Sequence, residues 1–192
     1  PGASPANPSN APVASAELYD GAVPAWSAAA PIPTSARQYH TATLLPSGKV
    51  MMAGGMSTAN NYLNSVSLYD SSTNAWANVS GLTENRSGHT ATLLRSGQML
   101  VTGGSGGDFG DSSNSAERAD PTNLSPPSGG WVSAGTMSAA RSFHTATLLP
   151  SGNVLVAAGA MVATTVTALN SADIYNATTN AWSAAAPLST AR

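Results

Sequence analysis

Apolar residues along this chain fall in short runs that are separated by glycine, proline, asparagine and serine. In one representative stretch the runs occupy His40–Leu45, Val50–Ala53, Ser65–Tyr69 and Ala75–Val79. Short runs rich in aliphatic and β-branched residues and bounded by turn-forming residues are typical of β-strands. The pattern therefore predicts an all-β chain without helices, with four strands, a to d, in this stretch.

The predicted strands belong to a unit that recurs along the sequence. The motif Arg-x-x-His-Thr-Ala-Thr-Leu-Leu occurs at Arg37–Leu45, Arg86–Leu94 and Arg141–Leu149. Each copy continues through a Ser-Gly turn into a pair of small residues, whose second member always lies 18 positions after the arginine. A spacing this constant predicts a rigid hairpin of strands a and b, and glycine at its end permits close approach of another backbone. The small pairs are Gly54-Gly55, Gly103-Gly104 and Ala158-Gly159.

A second block follows each hairpin after a connection of variable length. The block begins with a serine, ends in Tyr-Asp or a variant of it, and is followed by a tryptophan. Successive tryptophans are 50, 55 and 51 residues apart, and the longest interval contains a Pro/Gly-rich insertion. We expect the tyrosine and tryptophan rings to pack between neighbouring units, with their polar atoms bonded at an edge. The serines are Ser15, Ser65, Ser115 and Ser171, and the tryptophans are Trp26, Trp76, Trp131 and Trp182.

A period of about 50 residues with this order of markers resembles the Kelch repeat. The resemblance extends from Ser15 to Arg192, and it implies that each unit is a four-stranded antiparallel blade of a β-propeller, distantly similar to the propeller domain of galactose oxidase. It implies a half-blade with strands c and d at 15–36, and complete blades at 37–85, 86–140 and 141–192. Residues 1–14 are rich in Pro, Ala, Ser and Asn, and we expect them to form a linker or arm.

Three and a half blades do not close a ring, since propellers ordinarily have about four to eight blades. An open array exposes unpaired strand edges, which natural proteins avoid. We therefore expect further blades from a longer chain, whose last hairpin would pair with the half-blade. The alternative is other copies of the chain, which would assemble around one axis or stack into a filament.

Composition narrows the choice of partners. Seven Lys and Arg stand against nine Asp and Glu, charged residues make up 8% of the chain, and no basic cluster occurs. Nucleic acid and anionic membrane surfaces are therefore not expected as partners, because both need a cluster of basic residues. No apolar run reaches the roughly 18 residues of a membrane-spanning helix, so no membrane insertion is expected. The many uncharged polar residues are typical of secreted and cell-surface β-proteins, and we expect an extracellular or cell-surface location.

Two sets of residues suggest metal binding. His40, His89 and His144 carry the commonest metal-binding side chain. They occupy the same position in successive units, however, and should be spread around the propeller axis. Asp108 and Asp111 lie in a glycine-rich loop that could hold calcium through carboxylate and backbone oxygens. We expect structural hydrogen bonds for the histidines and an ordinary flexible loop around the two aspartates.

The Kelch resemblance includes one class of enzyme, the copper-radical oxidases that resemble galactose oxidase. Their cofactor needs a tyrosine cross-linked to cysteine, and this sequence has no cysteine. The chain could then be only a non-catalytic part of such an oxidase. No spacing predicts a Ser-His-Asp triad or a paired-carboxylate site.

We predict no catalytic residues and no cofactor, and a scaffold that binds a protein or glycan through its loops. The variable loops are Met56–Asn64, Ser105–Asn114 and Ala160–Asn170 between strands b and c, and the c–d insertion Pro121–Gly130. The residues that mark the repeat, and for which we expect structural roles, are Arg37, His40, Gly54, Gly55, Tyr69, Trp76, Arg86, His89, Gly103, Gly104, Trp131, Arg141, His144, Gly159, Tyr175 and Trp182.

Overall fold

The structure, a computed structural model, describes residues 11–57, 61–106, 110–125 and 129–192. These residues form β-strands and one short 3₁₀ turn at Pro121–Asn123, and they contain no α-helix. Within this part of the chain there is accordingly no helix that could cross a bilayer. The predicted all-β class is confirmed, whereas most of the predicted arm at 1–14 lies outside the described residues.

Three four-stranded antiparallel sheets follow one another along the chain, after a two-stranded hairpin of β1 (Ala16–Asp20) and β2 (Ala25–Ala29). Sheet 1 contains β3 (Thr41–Leu44), β4 (Val50–Ala53), β5 (Val66–Asp70) and β6 (Ala75–Val79). Sheet 2 contains β7 (Thr90–Leu93), β8 (Met99–Thr102), β11 (Ser115–Ala119) and β12 (Val132–Thr136). Sheet 3 contains β13 (Thr145–Leu148), β14 (Val154–Ala157), β17 (Ala172–Asn176) and β18 (Ala181–Ala185).

The predicted strands a to d of the first complete unit agree with β3 to β6 to within one residue at each end. Two connections between strands b and c, expected to be loops, contain small ladders of their own. These ladders are β9 (Ser105–Gly106) with β10 (Asp111–Ser112), and β15 (Ala160–Val162) with β16 (Val166–Ala168). The described part of the glycine-rich loop is therefore partly a strand pair, because its ends can exchange backbone hydrogen bonds.

The turns explain why the strands end where they do. In the a–b turn of sheet 1, the Gly48 N–H donates to the Leu45 carbonyl, and Gly48 adopts a φ of +81°, which glycine reaches without steric cost. In the c–d turn, the Asp70 carboxylate accepts hydrogen bonds from the backbone N–H and the hydroxyl of Ser72. Asn74 completes that turn with a φ of +49°, a conformation that asparagine tolerates.

The sheets pack face to face, so that the middle sheet, sheet 2, has a buried apolar cluster on each face. In β4, Met51 and Ala53 pack in a buried cluster with residues of sheet 2. The alternate residues Val50 and Met52 face the β1–β2 hairpin across a cleft. A second cluster joins sheets 2 and 3 through residues such as Leu100 and Val156. Alternation along a strand thus serves two interfaces, and removing one neighbour exposes half of the apolar side chains.

The residue that follows strand d of one unit is held by the c–d turn and strand d of the next. The Trp76 indole N–H donates to the Ala30 carbonyl at 2.8 Å, and the Asn74 amide oxygen accepts from the Ala30 N–H, also at 2.8 Å. Both backbone groups of Ala30 are therefore bound by sheet 1. The indole bond recurs between Trp131 and the Ser80 carbonyl and between Trp182 and the Ala134 carbonyl.

The first tryptophan departs from this pattern. Trp26 is 67% exposed and its stacking partner Tyr19 is 55% exposed. The equivalent Tyr69 and Tyr175 are buried. The difference arises because the described residues place no sheet beyond the β1–β2 hairpin.

Sheet 2 lacks the tyrosine and fills its place from the insertion. Ala119 stands at the tyrosine position, and the buried Leu124 and Pro121 come from the c–d connection. Together with Ala119, Leu124 packs with Trp131 in the cluster that faces sheet 1. The c–d insertion, of which residues 126–128 lie outside the described part, therefore contributes to the core and is not solely a surface loop.

Replacing Asn74 by glycine tests the hydrogen bond that joins sheet 1 to Ala30 of the preceding unit. Glycine keeps the positive φ but removes the acceptor shared by the Tyr69 hydroxyl and the Ala30 N–H. We expect the free energy of unfolding to fall by about 1–3 kcal/mol in denaturant titrations. Asn180→Gly is the matched control, since Asn180 has the same conformation and accepts from the Tyr175 hydroxyl within its own sheet. If both variants lost the same free energy of unfolding, the bond from Ala30 to Asn74 would not contribute to stability.

Candidate functional site

Buried arginines at the start of each complete unit tie strands a, b and c together. The Arg86 guanidinium donates to the Gly103 carbonyl at 2.8 Å, to the Ser115 hydroxyl at 2.7 Å and to the Glu117 carboxylate at 2.8 Å. Arg86 and Glu117 are each only 1% exposed. The Thr83 hydroxyl and backbone N–H donate to the other carboxylate oxygen, so the buried ion pair is well satisfied.

We call the bonds of Arg86 to Gly103, Ser115 and Glu117 the arginine clamp. The same clamp recurs in the other two complete units with different partners. Arg141 donates to the Ala158 carbonyl at 3.0 Å and to the Asp173 carboxylate at 2.9 Å. Arg37 donates to the Gly54 carbonyl and the Ser65 hydroxyl, but Ser67 occupies the position of the acid. Burial lowers the pKa of Arg37 from its ordinary value. All three arginines therefore hold backbone and side-chain oxygens within their own units.

The sequence contained signals for this clamp that the repeat motif omits. A serine or threonine lies three residues before each arginine, as Thr83 does before Arg86. An acid lies two residues after the block serine in three of the four units, at Glu17, Glu117 and Asp173. These short-range regularities could have identified the partners.

The second and third histidines lie in the joints between sheets. His89 Nε2 shares a hydrogen bond of 3.0 Å with the Thr41 hydroxyl of sheet 1. A Cβ atom at Gly54 would lie 2.6 Å from the Arg86 carbonyl oxygen and 2.7 Å from Cε1 of His89, so only glycine fits there. Burial, aided by the positive charge of Arg86, lowers the pKa of His89 to about 3.

His144 repeats this joint against sheet 2. Its Nε2 lies 3.1 Å from the Thr90 hydroxyl and 3.0 Å from the Thr102 hydroxyl. Burial and the charge of Arg141 lower the pKa of His144 to about 3. Both imidazoles are therefore neutral at pH 7 and act as hydrogen-bonding spacers between sheets.

The candidate metal ligands are not brought together. Across the described ranges, no group of three or more His, Cys, Asp or Glu side chains is placed to hold a metal ion. Asp111 is exposed in β10, and Asp108 lies outside the described residues. The two aspartates thus supply no described calcium site.

The residue before each histidine forms an unusual ladder. Tyr39, Gly88 and Phe143 all have positive φ angles, of +56°, +61° and +54°. The Gly88 N–H donates to the Tyr39 carbonyl at 3.0 Å, and the Phe143 N–H donates to the Gly88 carbonyl at 2.8 Å. Each left-handed residue other than glycine costs about 1–2 kcal/mol, so Tyr39 and Phe143 hold strain that Gly88 avoids.

The rings of Tyr39 and Phe143 form what we call the aromatic corner. They are 48% and 59% exposed, their centroids are 5.5 Å apart and their planes meet at 84°. The Phe143 ring lies over Gly88, where a Cβ atom would be 2.9 Å from its Cε1. Two large apolar rings are thus held in solvent on a strained backbone.

A polar cleft of about 560 Å³, the loop cleft, is lined by the b–c connection of sheet 2 and by residues that precede Arg86 and Arg141. The Ser112 hydroxyl on its wall donates to the Ser142 hydroxyl at 3.2 Å, and Ser142 immediately precedes Phe143. Glu84 on the same wall accepts from the Ser115 hydroxyl at 2.8 Å and is half-exposed. The cleft is lined by Glu84, Asn85, Gly106, Asp111, Ser112, Ser113, Asn114 and Ala140.

Sequence reasoning missed the aromatic corner. It identified Arg37, His40 and their repeats but treated the position before the histidine as variable. The occurrence of glycine there in one copy, Gly88, was the available signal, because it indicates a backbone that favours positive φ.

Comparisons with known proteins identify the fold and no family. No protein-family model matches the chain, and no curated protein matches it. Among 160 matching chains of solved structures is the structure of YjhT, with a TM-score of 0.69 over 86% of this chain at 18% identity. The match covers 56% of the YjhT chain, so this chain spans little more than half of that protein. A likeness at this identity concerns the backbone architecture alone.

Breaking a buried clamp should be costly. In Arg86→Met, the Glu117 carboxylate loses its partner while it remains buried, and we expect the free energy of unfolding to fall by about 3–5 kcal/mol. The control is Lys49→Met, which breaks the exposed Lys49–Asp70 pair of 3.3 Å and should cost less than about 1 kcal/mol. Denaturant titration of both variants gives the comparison. A loss of unfolding free energy in Arg86→Met as small as that in the control would show that the clamp does not stabilise the sheet.

The buried histidines should make the protein sensitive to acid. Their pKa of about 3 in the folded state lies below the ordinary 6.5 of an unfolded chain, so only the unfolded state binds protons between these values. The stabilisation is complete above pH 6.5 and is lost as the pH falls toward 3. At pH 5, each histidine should cost about 2 kcal/mol of unfolding free energy.

Thermal unfolding between pH 7.5 and 4 measures this effect. His89→Gln keeps a group that can bond to Thr41 but does not titrate, so its stability should fall less on acidification. His40→Gln is the control, because His40 is exposed and should contribute less to the slope. An unchanged slope in the His89 variant would exclude this histidine as the cause.

Proposed function

We propose that the chain is part of a Kelch-type β-propeller that acts as a non-catalytic, secreted or cell-surface scaffold and binds a neutral glycan. The observation that carries the proposal is the aromatic corner. Its two rings are exposed, and the positive φ of both residues would favour glycine, so packing alone does not account for aromatic residues there. Strain of this kind persists where a function requires the side chain. The blade boundaries and the scaffold role predicted from the sequence belong to this proposal.

The aromatic corner suits a ligand with flat apolar faces. A pyranose ring presents C–H groups on its faces and hydroxyl groups around its edge. Tyr39 offers a ring face and a hydroxyl, and Phe143 stands nearly perpendicular to it. Rigid aromatic side chains give much contact area for little loss of conformational entropy. A sugar ring could therefore stack on one ring while its edge meets the other.

The loop cleft supplies the complementary polar groups. Its carboxylates, amides and serine hydroxyls can accept and donate hydrogen bonds to sugar hydroxyls. Gln38, which precedes Tyr39, is uncharged and partly exposed. A neutral, hydroxyl-rich ligand matches these surroundings better than a strongly charged one.

The loops are variable in sequence while the sheets beneath them are fixed by buried clamps. Arg86 and Arg141 hold the ends of strands b and c, from which the cleft-forming connection of sheet 2 and the ladder of sheet 3 extend. Binding residues on loops above a rigid scaffold are a common arrangement in recognition proteins. This arrangement supports a binding role without requiring a reaction.

Replacing the strained aromatics by glycine separates binding from stability. We expect Tyr39→Gly and Phe143→Gly to weaken glycan binding about tenfold or more, as expected for anchor residues. The free energy of unfolding should be unchanged or higher, since glycine removes the left-handed strain. The probes are cellohexaose, chitohexaose, maltohexaose and xylohexaose, measured by calorimetric titration of the parent chain and both variants.

Leu44→Ala is the matched control, because Leu44 is a large apolar side chain that is 66% exposed away from the ladder positions. It should bind the probes as the parent does. Absence of binding to every probe by the parent chain, or equal affinities in the parent and glycine variants, would contradict the glycan proposal. Binding of a protein ligand that is lost in the glycine variants would reassign the same site to protein recognition.

A further inference from the structure

A groove of about 500 Å³, the turn groove, lies between the a–b turns of sheets 1 and 2 and the c–d connection of sheet 2. It follows the end of β3, whereas the aromatic corner precedes the start of that strand, so the two sites lie at opposite ends of β3. Leu45, Leu68 and Pro121 give the groove an apolar lining, and Lys49 and Asp120 are its charged residues. Both sheets that form it are complete, so it does not belong to either end of the stack.

The equivalent position between sheets 2 and 3 is covered by an arginine. Arg95 occupies the turn position of Pro46, and its guanidinium donates to the Pro150 carbonyl of the next a–b turn at 3.0 Å. On the way it passes Gly152, where a Cβ atom would lie 3.5 Å from Cδ of Arg95. Pro46 has no long side chain that could make this contact. A Cβ atom at Gly97, the counterpart of Gly152 in the turn groove, would meet nothing within 4 Å.

Asp120 lacks the cation that its counterpart in sheet 1 has. Asp70 closes its turn through Oδ1, and its Oδ2 lies 3.3 Å from Nζ of Lys49. Asp120 closes its turn in the same way, because Oδ1 accepts from the hydroxyl and the N–H of Thr122 at 2.7 and 2.9 Å. These bonds lower the pKa of Asp120 below its ordinary value, so the carboxylate is charged at pH 7. Gln98 stands at the lysine position of sheet 2, and Oδ2 of Asp120 has no partner among the described residues.

We propose that the turn groove binds an arginine side chain of a partner protein, with its stem over Gly97, its guanidinium on Asp120 and a neighbouring apolar side chain of the partner against Leu68. Arg95 shows that an arginine fits over the glycine of such a turn. A guanidinium matches a carboxylate in geometry as well as charge, and its methylene stem packs on apolar surface. Lys49 is paired with Asp70, so the charge left for a ligand is negative. This site goes beyond the proposed glycan binding and does not depend on it.

Short peptides test the proposal on the full chain. The probe is the peptide acetyl-Leu-Arg-Leu-amide, and its control replaces arginine by citrulline, which has nearly the same shape but no charge. The readout is the backbone amide NMR spectrum during titration. We expect the arginine peptide to shift the signals of Gly97, Asp120 and Thr122 with a dissociation constant on the order of 1 mM, as suits a contact of one side chain. The citrulline peptide should bind about tenfold more weakly or less.

Asp120→Asn should weaken binding of the arginine peptide about tenfold or more, since it removes the charge. The turn should survive, because Asn176 closes the same turn of sheet 3 by accepting from the Thr178 N–H. Asp20→Asn is the matched control. It makes the same change in the turn of the β1–β2 hairpin, where Asp20 accepts from the Ala22 N–H, and it should leave binding unchanged.

A second variant fills the groove from within. Pro46→Arg gives sheet 1 the residue that sheet 2 has at this turn, and its side chain should cover Gly97 as Arg95 covers Gly152. We expect binding of the arginine peptide to weaken about tenfold or more, because the added side chain competes for the same place. Pro150→Arg is the control, since it makes the same change at the turn of sheet 3, away from the groove.

Three results would overturn the proposal. Equal affinities for the arginine and citrulline peptides would show that charge is not recognised. An unchanged affinity in Asp120→Asn, or peptide shifts of the same size at the turns of Asp20 and Asp70, would show general attraction to exposed acids. A doubled mass without peptide that is lost in Asp120→Asn would identify a second copy as the occupant. If Asp120→Asn does not fold, Pro46→Arg decides the question, and an affinity equal to that of the parent chain would then refute the proposal.

Discussion

The structure depends on one constraint, which is that a four-stranded sheet with two apolar faces buries both of them only between two others. The b-strands show the constraint most directly, since Met51 and Met52 are adjacent in sequence and serve opposite interfaces. Hydrophobic burial is therefore shared between neighbouring units and cannot be completed within one. Stability in such a stack is a sum of nearest-neighbour terms, and the terminal faces are its exposed part. The exposed Trp26 is a direct consequence.

Polar contacts give the apolar stack its register. Apolar faces alone would allow the sheets to slide, because hydrophobic contact has little directional preference. The indole N–H of Trp76 and the imidazole of His89 each bond to one particular atom of the preceding sheet. Glycine at position 54 is required at that joint, since the next unit's backbone and histidine occupy the space of a side chain. The markers of the repeat are thus mainly residues that fix how one unit meets the next.

Much of the fold could be predicted because its signals are local. Strand positions follow from short apolar runs, and the a–b turn follows from the Ser-Gly pair around Gly48. The Arg86–Glu117 clamp was harder to predict, because its partners are 31 residues apart and the acid is replaced by Ser67 in sheet 1. The ladders β9–β10 and β15–β16 were missed because their strands are very short, and their sequences have little alternation.

The candidate site was missed for a related reason, namely that repeats direct attention to what is constant. Tyr39 and Phe143 occupy a position where the second copy has Gly88, so alignment of the copies makes the position look unspecific. The backbone gives the opposite result, since all three residues have nearly the same positive φ. Glycine is the residue that this conformation favours, and two of three units depart from it at an energetic cost. A repeat protein therefore carries its specific function most plainly where its sequence departs from the residue that the shared backbone would select.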